Sequence, residues 1–365
     1  MQFLPSLKIG QHVVPYPIVQ GGMGIRISGA NLAAAVANAG GIGVISAVGL
    51  GMNSPYFDIE EKNPKKRQAH FFEANRLALI DELEKARELS PKGIIGVNIM
   101  VAARDYETLV QVSVDYGADL IFSGAGLPLQ LPELTAHRPE VALVPIISST
   151  RAAQVICKKW LRHFGRLPDG FVVENPQLAG GHLGAKAEDL DDPAIGSAVI
   201  PELLTYLRQT FEAEIPVTAA GGICDRATLD QALALGASGV QIGTRFITTD
   251  ECDADRRYKD FHLNAKPEDV VLISSPVGLP GRALRNAFVD QIAAGHPSNP
   301  KDQCFANCLQ VCKFRDSRET YCILRALDRA SRGDVDNGLV FAGSRAGQAQ
   351  QIVPVAELMA ELTGA

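Results

Sequence analysis

Eight short apolar runs recur along the 365-residue chain, most of them separated by segments of helical pattern, and nothing else in the sequence restricts the fold as strongly. They are PYPIVQGGM (15–23), GIGVIS (41–46), GIIGVNIM (93–100), DLIFSG (119–124), ALVPIIS (142–148), GFVVEN (170–175), IPVTAAGG (215–222) and GVQIGTRF (239–246). The runs are apolar throughout rather than alternating, as expected for strands of a parallel sheet covered on both faces. Between them, EANRLALIDELEKARELS (73–90), YETLVQVSVDYGA (106–118), TRAAQVICKKWLRHFG (150–165) and DRATLDQALALGA (225–237) are amphipathic, and glycine falls where several of these helices should end. Eight β/α beats in roughly 250 residues predict an α/β fold of the TIM type, a (β/α)8 barrel. A doubly wound sheet is the competitor, but GGMGIR and GLGMNS both miss the G-x-G-x-x-G spacing of a dinucleotide fold.

Two segments interrupt the beat. Residues 49–72, GLGMNSPYFDIEEKNPKKRQAHFF, are polar and turn-rich, which suggests a lid over the barrel mouth with KNPKKR (62–67) as a solvated loop. Residues 251–333 are helical in pattern, with loops at SSPVGLPGRALRN (274–286) and AAGHPSNPKDQ (293–303). The expected organisation is a barrel from 1–250 and 334–365 with a small helical lid or substrate domain at 251–333. A net charge of −6 and a pI of about 5.7 argue against nucleic acid or an anionic membrane as partner. No apolar stretch reaches the roughly 18 residues of a membrane span. The opening MQFLPSLKIGQHVV lacks the pattern of a signal peptide, and seven cysteines, an odd number, suit a reducing compartment. A cytoplasmic protein acting on a small molecule is expected; the sequence leaves the oligomeric state open, a homodimer included.

Barrel enzymes build their sites at the C-terminal ends of the strands, commonly with phosphate after strands seven and eight. Those ends read AAGGI and QIGTRF. Gly221, Gly222 and Gly243 leave backbone N–H groups bare for an anion, Thr244 adds a hydroxyl donor, and a helix starting near Asp225 would add its positive end. The first run ends in QGGMG, another bare surface carrying Gly22 and Met23, and Asn98 would aim an amide at the same opening or cap the following helix. Phosphate on one side and flat backbone on the other suit a flavin mononucleotide better than a dinucleotide. In ENPQLAGGHLGAK (174–186), Gly180 and Gly181 precede His182 at the mouth of a strand. Glycine there permits a sharp turn or close approach to a ligand, and the histidine is either a proton-handling group titrating near neutrality or an ordinary solvated residue.

QGGM, GVNIM, AGGH, AAGGI and QIGTRF, in this order, resemble the nitronate monooxygenase family and its relative, the flavin-dependent enoyl-acyl-carrier-protein reductase. The likeness spans nearly the whole chain, including GDVDNGLVFAGS (333–344). It implies an FMN-binding barrel with a smaller helical domain over the active site. Gly22, Met23 and Asn98 would meet the isoalloxazine or ribityl region, Gly180 and Gly181 would flank the cofactor, and Gly221, Gly222, Gly243 and Thr244 would take its phosphate. His182 would be the catalytic histidine. The implied reaction is oxidation of alkyl nitronates with dioxygen to a carbonyl compound and nitrite. The alternatives are an NAD(P)H-dependent enoyl-thioester or quinone reductase, and a flavin-binding redox module without turnover. Leu178 stands where many members of the family carry an acid, and ALVPIISS offers no lysine at the end of strand five; both departures bear on the substrate rather than the cofactor.

Near the C-terminus, Cys304, Cys308, Cys312 and Cys322 follow the pattern C-x3-C-x3-C-x9-C. At helical spacing the first three share one stripe with Phe305 and Val311, which reads as a buried helix face using cysteine as a small hydrophobe. The competing reading is an iron–sulfur cluster held by four thiolates. Zinc fits less well because the paired C-x2-C knuckle is missing.

Overall fold

In the computed structural model, which describes residues 3–295 and 303–364, a hairpin of β1 (Leu7–Ile9) and β2 (His12–Val14) precedes the first barrel strand. The barrel strands are β3 (Ile18–Gln20), β4 (Ile42–Ser46), β5 (Ile94–Met100), β6 (Leu120–Gly124), β7 (Ala142–Ile147) and β8 (Phe171–Glu174). After a two-residue strand, β9 (Gly181–His182), come β10 (Val217–Ala220) and β11 (Gly239–Ile242). Excluding β9, the strands from β3 to β11 pair in parallel in chain order, and β11 returns to β3 to close an eight-stranded barrel. Every residue of β4, β6 and β10 is buried, which is why these runs show no polar alternation.

Two apolar layers hold the barrel. Inside it, Val19, Val44, Leu120, Phe122, Val144 and Val172 pack with Leu7, Ile9 and Val14, so the opening hairpin plugs the end opposite the site. Outside, the strands pack against the helices, whose inward residues include Leu79, Ile156, Trp160 and Leu203. The first helix, Ala30–Asn38, lies so close to β4 that a Cβ on Gly43 would sit 1.8 Å from the Ala33 carbonyl oxygen. Only a residue without a side chain permits that approach.

The second helix begins earlier than its amphipathic pattern indicates and runs Pro64–Leu89. Asn63 caps it, its side chain accepting from the Lys65 and Lys66 N–H groups, with Pro64 pre-set at the first helical position. KNPKKR is therefore a cap and first turn rather than a loop. Asn63→Ala is expected to lower stability by about 1 kcal/mol, read as a fall in the unfolding midpoint. Elsewhere in the 49–72 segment Asn53, Pro55, Tyr56 and 58–60 stay exposed, but Phe57 turns inward and meets Phe71 edge-on at 5.4 Å, and Phe71 meets Phe305 at 5.9 Å.

Residues 251–333 are less helical than their pattern suggests. SSPVGLPGRALRN contains the turn of a hairpin made by β12 (Val270–Ser274) and β13 (Pro280–Leu284), and β13 also pairs with β9. Of the AAGHPSNPKDQ stretch, residues 296–302 lie outside the described residues. Cys304, Cys308 and Cys312 do not form a helical stripe: the chain from 304 to 312 is irregular, and Asn307 takes a left-handed φ of 47°. The chain then returns to the barrel and ends in the helix Val355–Thr363, packed on Ala30–Asn38. Among the described residues no helix is long and apolar enough to cross a membrane.

Candidate active site

A cavity of about 330 Å³ opens where the C-terminal ends of the barrel strands converge. Gly22, Met23, Asn98, Gly180, Gly181, His182, Gly221, Gly222, Gly243 and Thr244 all line it, so the fold brings the candidate catalytic and cofactor-binding residues to one place; of the four C-terminal cysteines only Cys308 joins them. Segments beyond the barrel complete the wall with Phe71 and Leu324, which share one apolar cluster, and with Leu309 and Phe341.

On one side the cavity wall is bare backbone. A Cβ on Gly22 would stand 2.3 Å from the Asn98 Cβ, so the first strand's end lies flat against that side chain. A Cβ on Gly180 would stand 2.5 Å from Ala342 C and Gly343 N, leaving no room for a side chain between the two loops. Gly221 and Gly222 both hold left-handed backbone, at φ 96° and 74°, and turn the chain after β10 into the opening. Thr244 Oγ1 accepts from the Gly343 N–H at 3.0 Å, which leaves its own O–H free to donate. The helix Arg226–Ala234 differs from expectation: Asp225 caps it, accepting from the Thr228 N–H at 2.8 Å, so this helix end is already served by a carboxylate.

His182 is set by strand pairing across a hundred residues of sequence. It lies opposite Gly281 of β13, the next residue's N–H donates to Pro280 O at 2.9 Å, and its ring meets the Phe341 ring edge-on at 5.0 Å. Its Nδ1 is buried without a partner. The residue keeps some surface toward the cavity, yet burial pulls its pKa from 6.5 down to about 4. The imidazole is thus neutral at physiological pH, which corrects the expectation of a ring titrating near neutrality. Glu174, at the end of β8, moves the other way: burial raises its pKa to about 7, against the opposing charge of Arg282. Arg282 in turn donates to Pro176 O at 3.2 Å and to Ala179 O, bracing the turn that leads into Gly180–His182.

Glu174, Arg282, Ser344 and Arg345 did not stand out in the sequence. Glu174 opens the very stretch that carries His182, but an acid at a strand end has no local mark of burial. Ser344 and Arg345 follow the apolar GLVFAG, which resembles an ordinary return to the barrel.

The residues fit a flavin phosphate. Ser344 Oγ is buried without a partner beside the Thr244–Gly343 bond, Arg345 brings a cation to the same wall, and paired glycines bare their N–H groups there. Next to Gly243, with Gly21 N–H donating to Ile242 O at 2.8 Å, the backbone of Gly21–Gly24 suits a ring system. A closed parallel barrel with such a cradle at its mouth, and with a dry imidazole and a raised carboxylic acid on its rim, defines a cofactor-using barrel oxidoreductase.

The sequence profile described as nitronate monooxygenase matches residues 5–364, and the chain belongs to that family of flavin-dependent oxidoreductases. A probable nitronate monooxygenase of Staphylococcus saprophyticus is 26% identical over 292 residues, 76% of this chain and 78% of that one. A hydroxy-methyl-oxo-octahydroindene-carboxyl-CoA dehydrogenase of Mycobacterium tuberculosis is 28% identical over 284 residues, 77% of this chain and 66% of that one. Among solved structures, FabK from Thermotoga maritima superposes with a TM-score of 0.70 at 24% identity, covering 96% of this chain and 92% of that one. The nitroalkane oxidase of Streptomyces ansochromogenes does so at 0.68 and 22%, covering 96% and 95%. At these identities the two structures show the fold.

Proposed function

We propose that this protein binds FMN and oxidises alkyl nitronates with dioxygen, giving a carbonyl compound and nitrite. The observation that carries this reading is the buried, neutral His182 with its unpartnered Nδ1 on the cavity rim. An imidazole whose conjugate acid has a pKa of about 4 is a weak base for removing a proton from carbon. It is well suited to hold a substrate oxygen by hydrogen bond. A nitronate has already lost its carbon proton, so it needs an anchor rather than a base.

Bound FMN would supply the electron acceptor. The chain's own residues do the rest. Gly221, Gly222, Gly243, Thr244, Ser344 and Arg345 hold the phosphate; Gly22, Met23 and Asn98 support the ring side; Gly180 and Gly181 let the histidine loop come close. The apolar wall of Leu309, Leu324 and Phe341 keeps water from the reacting carbon. The test is anaerobic reduction of the purified flavoprotein. Bleaching by alkyl nitronates, followed on aeration by oxygen uptake and nitrite release, is the expected result. Bleaching by NAD(P)H alone, with nitronates inert, would overturn the assignment.

One observation favours the second reading, reduction of an enoyl thioester. Glu174, held as the neutral acid up to about pH 7, can donate a proton inside an apolar cavity. Both readings share a pH signature. Below pH 7 the acid is neutral; above it, a carboxylate repels an anionic substrate and has no proton to give. The expected result is a fall in kcat/KM as pH rises through about 7. Glu174→Gln, which stays uncharged, removes that inflection in the nitronate reaction. In the reductase reaction it lowers turnover across the whole range.

A further inference from the structure

The four cysteines near the C-terminus take no part in the site so far described, and their surroundings are unusual for inert core thiols. Cys304, Cys308, Cys312 and Cys322 are all free, and all four pack in one apolar cluster with Ile273, Val289 and Tyr321. The irregular loop that carries the first three is fastened to the chain after β5: Leu309 bridges Ala103, Arg104 N donates to Cys308 O at 2.9 Å, and Gln310 N donates to Ala102 O at 2.9 Å. A helix would have spread the first three thiols along a line; the irregular loop brings them into one apolar cluster with Cys322. Cys308 lies within electrostatic reach of the other three, and Cys322 within reach of Cys304 and Cys312.

One cation faces the thiols: Arg325 stands near Cys322 and its backbone N–H is directed at that thiol, whereas Arg315, near Cys304 and Cys312, is ion-paired with Asp316 at 2.6 Å. Cys322 stands at the N-cap position of the helix Ile323–Ser331 without a side-chain cap bond. The Arg325 guanidinium lies 4.6 Å over the Phe305 ring, and its Nε is buried without a partner. A metal–sulfide core held by thiolates would draw on a cation and an N–H donor of this kind.

We propose that Cys304, Cys308, Cys312 and Cys322 ligate an iron–sulfur cluster between the irregular 304–312 loop and the helix that starts at Ile323. Among the described residues, no three His, Cys, Asp or Glu side chains are gathered as one metal ion would require. Four cysteines gathered in one apolar cluster are the usual ligand number of an iron–sulfur core, which is larger than a single ion. Binding proceeds by loss of the four thiol protons and formation of four iron–sulfur bonds, with no change in cysteine oxidation state. Cys308 and Leu309 also line the central cavity, so the cluster stands against its wall. That placement next to a flavin rests on the FMN reading; the ligation itself does not.

The experiment is metal analysis of the protein purified without oxygen and treated with both ferrous and ferric iron and sulfide, so that the core assembles with no external oxidant. The expected result is about two or about four irons per chain with matching acid-labile sulfide, the two values distinguishing the two cluster types that four cysteines can hold. Cys304→Ala and Cys312→Ala should each lose iron and sulfide while keeping flavin and the wild-type circular dichroism. Wild-type protein that takes up no iron and sulfide, or carries stoichiometric zinc instead, overturns the proposal. Equal iron uptake by wild type and all four single variants also overturns it, because the iron is then adventitious. Flavin is measured in the same samples. A cluster without flavin would count against the FMN reading alone, and flavin without a cluster against this proposal alone.

Discussion

His182→Ala should leave the protein folded and yellow with flavin, yet lower its nitronate turnover by about 10²- to 10³-fold, the usual cost of removing one well-placed donor to a charged reacting group. The residue lies at the end of a loop whose backbone is already held by β13, so truncating the ring removes chemistry rather than structure. His182→Gln, which keeps a donor at similar reach, should recover part of the loss. The pH profile separates an anchor from a base. With its pKa held near 4 by burial, the ring is neutral throughout pH 5 to 8 and should contribute no inflection there. A bell-shaped limb near 6.5 that disappears in His182→Ala would sink the assignment. The same shift has a sign in stability. The unfolded ring takes up a proton below about 6.5 and the folded ring does not until about 4. Its contribution to stability is therefore full above the unfolded value and lost as pH falls across that window.

Gly180→Ala is the second large effect. The added Cβ would fall 2.5 Å from backbone atoms of both Ala342 and Gly343, where no flexible side-chain end can yield. One loop must move, and the loop at risk carries the Gly343–Thr244 bond and the Ser344 N–H donated to Leu178 O at 3.0 Å. Overpacking of this kind costs about 1–3 kcal/mol. Drawn from the FMN-binding conformation, that cost corresponds to roughly a 10- to 100-fold rise in the FMN dissociation constant. Titrating apoprotein by quenching of flavin fluorescence measures it. Wild-type affinity in Gly180→Ala would show that this loop is not part of the cradle.

The barrel was legible because its signal is local. Strands covered on both faces are buried at every position and so mostly apolar, as β4 and β6 are apart from Ser46 and Ser123, and glycine must stand where chains meet closely, as Gly43 does against Ala33. Bare strand ends such as Gly221–Gly222, which line the cavity, are legible by the same reasoning. The small errors were local as well. Asn63 and Pro64 are a helix start in plain view, masked by the basic run that follows.

What the sequence could not carry is the environment of its polar groups. Residue 182 is the same imidazole whether wet or dry; Gly281 and Phe341 are what dry it, about 100 and 160 positions later in the chain. Glu174 owes its raised pKa to enclosure that no neighbouring residue encodes. The cysteines follow the same rule: a spacing of four fits a helical stripe equally well, and only tertiary contacts with Ala102–Arg104 bend that segment into a loop. Hydrophobic periodicity is a property of neighbours along the chain, so the amino-acid order determined the barrel and the places of its bare rims. Desolvation and convergence are properties of neighbours in space, and these the folded structure alone decided.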